Sequence, residues 1–151
     1  MKNIGYLMTI PAIFAADEKL KQMSEEKEFP ADEDDQCPVV FRNYHNTGAM
    51  LNLGAGRAFV KILSTVFTLA VTIYFVATLG HRGQKLLKTG LSLILGGAYS
   101  NMYDRYRKGY VVDYISFRCR WKWLSGIVFN IGDFAIMIGA FMAVMATDLS
   151  E

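Results

Sequence analysis

GGAYSNMYDRYRKGYVVDYISF, residues 96–117, followed after a short basic and aromatic bridge by FNIGDFAIMIG, residues 129–139, is the stretch that decides how this chain folds. Between residues 36 and 147 only Asp104, Asp113 and Asp133 are acidic, against twelve Lys and Arg. All three lie in or beside segments that otherwise read as membrane-embedded. A carboxylate next to hydrocarbon is costly to keep ionised, so an Asp in such a segment is a functional-site candidate by default. The expectation is that Asp113, at the outer end of a third span or just beyond it, and Asp133, about ten residues into a fourth, meet as a catalytic pair at one face of a small helical membrane bundle.

Working outward, the 151-residue chain is one domain's worth, and 52% hydrophobic residues is too apolar for an ordinary soluble domain of that size. Residues 58–79 carry a single charge, Lys61, and residues 124–146 only Asp133. At about 1.5 Å per residue either stretch crosses a hydrocarbon layer of roughly 30 Å. A shorter, more polar span is expected over residues 86–103, with Gly90 and Gly97 on one side, where small residues admit a neighbouring helix. Gly97, Asn101, Asp104 and Arg105 project together, so that face ends in a polar cluster.

Residues 4–16, IGYLMTIPAIFAA, fit either the apolar core of a cleavable signal peptide or a first membrane helix running on past Asp17 and Lys21. We read an uncleaved span over residues 4–22, with Asp17 and Lys21 on one helix face where they can pair. Residues 17–35 hold nine acidic and three basic residues, the composition of a solvated, mobile loop. Within residues 37–52, Val39, Val40, Phe41 and Tyr44 favour a strand and Asn46-Thr47-Gly48 a turn, so a small strand or hairpin at the outer surface is expected.

Arg82, Lys85 and Lys88 assign the second turn to the cytoplasm by the positive-inside rule, and both termini with it. Arg105, Arg107, Lys108, Arg118, Arg120 and Lys122 run against that rule, because the alternation of four spans carries them outside. Cys37 and Cys119 match no metal-ligand spacing, and a single bridge between them stays open. With His45 and His81 as the only histidines, no metal or other cofactor is expected, nor any nucleic-acid partner.

Two carboxylates that share one proton can hydrolyse a peptide bond without a metal: one takes a proton from water while the other protonates the carbonyl oxygen or the leaving amine. The same pair could instead move protons or small cations, as in a carrier.

The chain resembles the lipoprotein signal peptidases, signal peptidase II, over nearly its whole length. The resemblance rests on Asp17 with Lys21; on Asn46-Thr47-Gly48-Ala49; on Gly97, Asn101, Asp104-Arg105 and Val111-Val112-Asp113; and on Phe129-Asn130-Ile131-Gly132-Asp133. It implies a mainly α, four-transmembrane-helix aspartic endopeptidase with a small extracytoplasmic β-cradle between helices 1 and 2. Such an enzyme is a multi-pass, monomeric protein of the bacterial cytoplasmic membrane, in contact with membrane lipids. It cuts prolipoproteins before the diacylglyceryl-modified cysteine and is the target of the antibiotic globomycin. On this resemblance Asp113 and Asp133 match the catalytic dyad, while Asn46, Gly48, Asn101, Arg105 and Asn130 match substrate-binding positions and Asp104 a supporting carboxylate. Met50-Leu51-Asn52, Gly132 and Phe134 depart from the family's usual residues. The alternative is a catalytically silent relative that binds lipidated peptides, or a small-ion carrier.

Overall fold

The computed structural model describes residues 3–26, 38–48, 57–118 and 120–148. In chain order the elements are α1 (Ile4–Glu25), β1 (Val39–Asn46), α2 (Arg57–Leu79), α3 (Lys85–Arg107), β2 (Val111–Phe117), the single turn α4 (Lys122–Ser125), β3 (Val128–Phe129) and α5 (Ile131–Asp148). The expected features at Cys37, Cys119 and Met50-Leu51-Asn52, and residues 27–35 of the acidic run, lie outside the described residues.

Helix α3 is the hub, packed against α1, α2 and α5. Its Leu87, Leu91, Ile94 and Leu95 form the core with Phe75 of α2. Gly90 and Gly97 face α5, as their spacing predicts. A Cβ on Gly90 would lie 2.6 Å from the Gly139 carbonyl oxygen, and one on Gly97 would run into the carbonyl of Gly132. Two helices can cross this closely only where both surfaces are backbone.

Large apolar side chains point outward instead, among them Phe59, Ile62, Val66 and Ile73 of α2 and Ile138, Phe141 and Val144 of α5. An exposed apolar surface of this extent suits lipid rather than water. Among the described residues α2, 23 residues long and with a mean hydropathy of 2.1 over its most apolar 18 residues, is the one helix both long and apolar enough to cross a membrane. Of the four expected spans, residues 58–79 thus meet that criterion by length and composition. Helix α3 is sheathed by its neighbours and buries Ser92, Ser100, Asn101 and Asp104, so its sequence need not be lipophilic.

The expected fourth span is corrected. Residues 124–146 do not form one helix: Gly126 ends α4, Val128 and Phe129 pair with β2, and α5 begins only at Ile131. Asp133 therefore sits in the first turn of α5, not about ten residues into a span.

The strand expected at residues 39–44 is β1, but the sheet is not built between α1 and α2 alone. Its order is β1-β2-β3, antiparallel throughout, so two of its three strands come from the chain between α3 and α5. Gly109, at φ 83°, turns the chain out of α3 into β2, where Val111, Val112, Tyr114 and Ile115 supply β-formers. Phe134, at one of the unusual positions, is 5.5 Å from Phe129 and 6.2 Å from Phe117 between ring centroids, and so ties the sheet to α5.

The acidic run is corrected at its start. α1 continues to Glu25, and Asp17, Lys21 and Ser24 are buried in it rather than solvated.

Candidate active site

The carboxyl end of α3, the middle of β2 and the first turn of α5 converge on one point. Strand pairing sets Asp113 opposite Tyr44, close to Asn46 at the end of β1. Asn46 does two things there. Its Oδ1 accepts the Gly48 N–H at 3.0 Å, closing the expected turn, and its Nδ2 donates to Asp113 Oδ2 at 2.9 Å.

Asn130 links the two aspartates. Its Nδ2 donates to Asp113 Oδ1 at 2.7 Å, and its backbone N–H to Asp133 Oδ2 at 3.1 Å. Its Oδ1 accepts the Asp133 N–H at 2.8 Å, which makes Asn130 the N-cap of α5 with Asp133 at the third position. Asn101 of α3 completes the set, donating from Nδ2 to Asp133 Oδ1 at 2.9 Å. Each of the four carboxylate oxygens thus has a protein N–H aimed at it.

Asp113 is only 1% exposed. Burial, reinforced by the facing charge of Asp133, pushes its carboxyl up to about 7, against the lowering effect of the Asn46 and Asn130 donors. A carboxyl held there is protonated in about half of the molecules at neutral pH, within reach of the single shared proton such a pair uses.

Both aspartates open onto a cavity of about 180 Å³, lined also by Tyr44, Asn46, Asn101 and Arg105 and by the segment 126–128. Arg105 Nη1 donates to the Asn101 carbonyl at 3.2 Å, which anchors the guanidinium at the cavity wall. The cavity therefore offers two carboxylates, amide groups and one fixed cation to a bound chain.

Not every expected site residue reaches it. Gly48 does not line the cavity; its contribution is the N–H that closes the Asn46 turn. Asn130 lies behind the aspartates, fully buried, and orients them. Asp104, also fully buried, does not line the cavity either. It pairs with Lys21 at 3.0 Å and Lys108 at 3.0 Å, and accepts the Val112 N–H at 3.2 Å, so it fastens β2 to α3. His45 stacks on Tyr110 at 4.0 Å and does not line the cavity. Among the described residues no group of three or more His, Cys, Asp or Glu is arranged for a metal.

The sequence gives little sign of a second polar layer behind the dyad. Lys21 is fully buried and contacts Asp17 Oδ2 at 2.9 Å, Ser100 Oγ at 2.7 Å and Asn101 Oδ1 at 3.2 Å. Tyr114 accepts the Ile131 N–H at 3.1 Å and donates to Asp17 Oδ1 at 2.9 Å. The four-residue spacing of Asp17 and Lys21 is the only linear signal for this layer. It reads equally as a surface pair.

Comparison with known proteins bears on the family and the fold. The family model described as Signal peptidase (SPase) II, Peptidase_A8, matches residues 9–148. A lipoprotein signal peptidase of Halothermothrix orenii is 37% identical over 117 residues, covering 74% of this chain and 74% of that protein. One of Mesorhizobium japonicum is 30% identical over 141 residues, covering 92% of this chain and 82% of the other. In fold, the chain is similar to a bacterial membrane enzyme solved by the in meso method at 2.3 Å resolution, with a TM-score of 0.76 and 20% identity over 95% of this chain and 87% of that one.

Proposed function

Because the chain belongs to the signal peptidase II family, an aspartic peptidase family that cleaves the signal peptides of prolipoproteins, we propose that Asp113 and Asp133 are its catalytic pair. The observation that carries this reading is the bridge through Asn130, which holds two carboxylates at one cavity with Asp113 near neutral pKa.

The two carboxyls begin with one proton between them; with that proton on Asp113, Asp133 is the base. Asp133 takes a proton from water as the water oxygen bonds to the scissile carbonyl carbon, and Asp113 gives its proton to the carbonyl oxygen. In the collapse the C–N bond breaks, Asp133 passes its proton to the leaving amine, and Asp113 recovers a proton from the tetrahedral hydroxyl. The products are a free carboxyl group on the signal peptide and a free amine on the mature chain. Arg105, Asn46 and Asn101, which line the same cavity, hold the substrate backbone. The bond cut is the one before a diacylglyceryl-modified cysteine.

We further infer one domain that crosses the bacterial cytoplasmic membrane four times, with both termini inside and the sheet outside. The outward apolar faces of α2 and α5 support it, as does the common position of the α1 start and α2 end, where Asn3 Nδ2 donates to the Leu79 carbonyl at 3.0 Å. The external cations are partly balanced by the fold itself, since Lys108 pairs with Glu25 at 2.9 Å.

The test is cleavage of a synthetic diacylglyceryl-cysteine peptide by detergent-purified protein. Wild type should cut before the lipidated cysteine and be stopped by Asp113→Asn, Asp133→Asn or globomycin. Folded wild type that binds the peptide without cutting it would overturn the peptidase reading in favour of a silent lipopeptide binder.

A further inference from the structure

A fully buried lysine needs a reason, because its ammonium is costly to dehydrate unless every proton finds an acceptor. Lys21 meets that condition with Asp17, Asp104, Ser100 and Asn101, and Glu18 Oε1 lies 3.5 Å away. Charge balance explains the contacts to Asp17 and Asp104. It does not explain why the ammonium also touches a neutral amide that in turn touches the dyad.

The chemistry of that contact is directional. An ammonium only donates, so the Asn101 amide must turn its oxygen to Lys21 and hence its NH2 group away from it. The NH2 group then points at Asp133 Oδ1, 2.9 Å away. The same Asn101 oxygen accepts the Asn130 Nδ2 at 3.0 Å, and the other hydrogen of that Nδ2 goes to Asp113 Oδ1 at 2.7 Å. Reversing the Asn101 amide would set two donors against each other at Lys21 and at Asn130, and would aim an oxygen at a carboxylate.

We propose that Lys21 is a positioning residue for the reaction: by fixing the sense of the Asn101 amide, its buried ammonium holds the N–H donors of Asn101 and Asn130 on Asp133 and Asp113. The inference rests on the dyad reading above. Lys21 touches neither aspartate of the pair nor the cavity; its charge is felt by Asp113 through space, but its positioning effect passes through Asn101.

A purely structural lysine, latching α1 to α3, would make a different prediction, and a double-mutant cycle separates the two. The rate of cleavage of a diacylglyceryl-cysteine peptide is measured for wild type, Lys21→Met, Asn101→Ala and the double variant, with kcat and KM resolved and the melting temperature followed in the same detergent. Lys21→Met should lower kcat roughly 10- to 100-fold, as expected for losing a charge-assisted contact, with KM within about threefold. In the Asn101→Ala background it should cost no more than about threefold further, because the path through Asn101 is already gone. A loss of equal size in both backgrounds, an unchanged kcat, or a change confined to KM overturns the proposal.

Lys21→Met leaves Asp17 and Asp104 each with one fewer partner, and Asp104 still has Lys108, so the cycle is also run with Asp17→Asn present throughout, and that set decides if the single variant does not fold. Asp113→Asn is assayed alongside. If it retains activity, the dyad reading fails; if it is inactive and the cycle shows no coupling, only the role of Lys21 fails.

Discussion

Asn130 and Asp133 cap each other: the Asp133 N–H donates to Asn130 Oδ1 at 2.8 Å, and the Asn130 N–H donates to Asp133 Oδ2 at 3.1 Å. A device that ordinarily starts a helix is here also what aims a carboxylate. Because the second amide arm of Asn130 reaches Asp113, helix start and dyad geometry are one structure.

Substitutions of Asn130 should separate the two duties. Asn130→Ala removes the cap and the bridge, and should cost about 1 kcal/mol of stability together with roughly 10- to 100-fold in kcat. Asn130→Ser keeps an oxygen able to cap α5 but has no second arm for Asp113. It should melt close to wild type and lose about as much activity as Asn130→Ala. Melting temperatures and single-turnover rates on the same preparations provide the comparison. Equal losses of stability in both variants would mean that the cap is not what Asn130 contributes.

The protonation of Asp113 sets a pH limit. Its carboxyl lies at about 7 in the folded chain, above the ordinary value of 3.8, so activity that needs its proton should fall as pH rises through about 7. Asn46→Ala removes a donor that favours the ionised form and should move this alkaline limb upward. The linkage has a definite sign. A carboxyl raised on folding binds its proton more tightly in the folded state, so its contribution is full below the unfolded value and declines as pH rises from about 4 to about 7. Denaturant titrations over that window should have a smaller downward slope for Asp113→Asn than for wild type.

The crossing of α3 on α5 should be the part of the fold least tolerant of added atoms. A Cβ at Gly97 meets the backbone of Gly132, one residue before Asp133, and backbone cannot turn aside as a side chain can. Gly97→Ala should cost roughly 1–3 kcal/mol or more from overpacking and should reduce kcat by displacing Asp133. Gly5 is the control, since a Cβ there meets nothing within 4 Å. Gly5→Ala should be neutral or stabilise by up to about 1 kcal/mol through helix propensity.

The sequence carried the parts of the molecule whose physics is local. Long apolar runs announced α2 and much of α5, β-branched residues announced β1, and the spacing of Gly90 and Gly97 announced a close helix contact. Strand β2 was hidden because the apolar residues of Val111 to Phe117, interrupted at Asp113 and Ser116, do not alternate with polar ones, a pattern that a short buried strand shares with the end of a helix. The late start of α5 was concealed by the same ambiguity, although Asn130 three residues before Asp133 is the spacing of a cap. Lys21 was illegible for another reason. An Asp and a Lys four apart describe one helix face, and nothing in the linear chain says that Ser100 and Asn101 will close over it.

Asp104 and Arg105 are adjacent in sequence yet belong to different parts of the molecule, and their variants should fail differently. Arg105 lines the cavity. Arg105→Gln keeps length and polarity but loses the charge, so it should raise KM for the lipopeptide about tenfold or more while the melting temperature stays within a few degrees. Asp104 faces inward, between Lys21 and Lys108. Asp104→Asn leaves those cations short of a carboxylate, and breaking a buried pair from one side costs roughly 3–5 kcal/mol. Its loss should appear as a lowered melting temperature and yield, with KM for the folded fraction near that of wild type. A raised KM for Asp104→Asn at unchanged stability would mean that this carboxylate meets substrate after all, and that the bound state rearranges the end of α3.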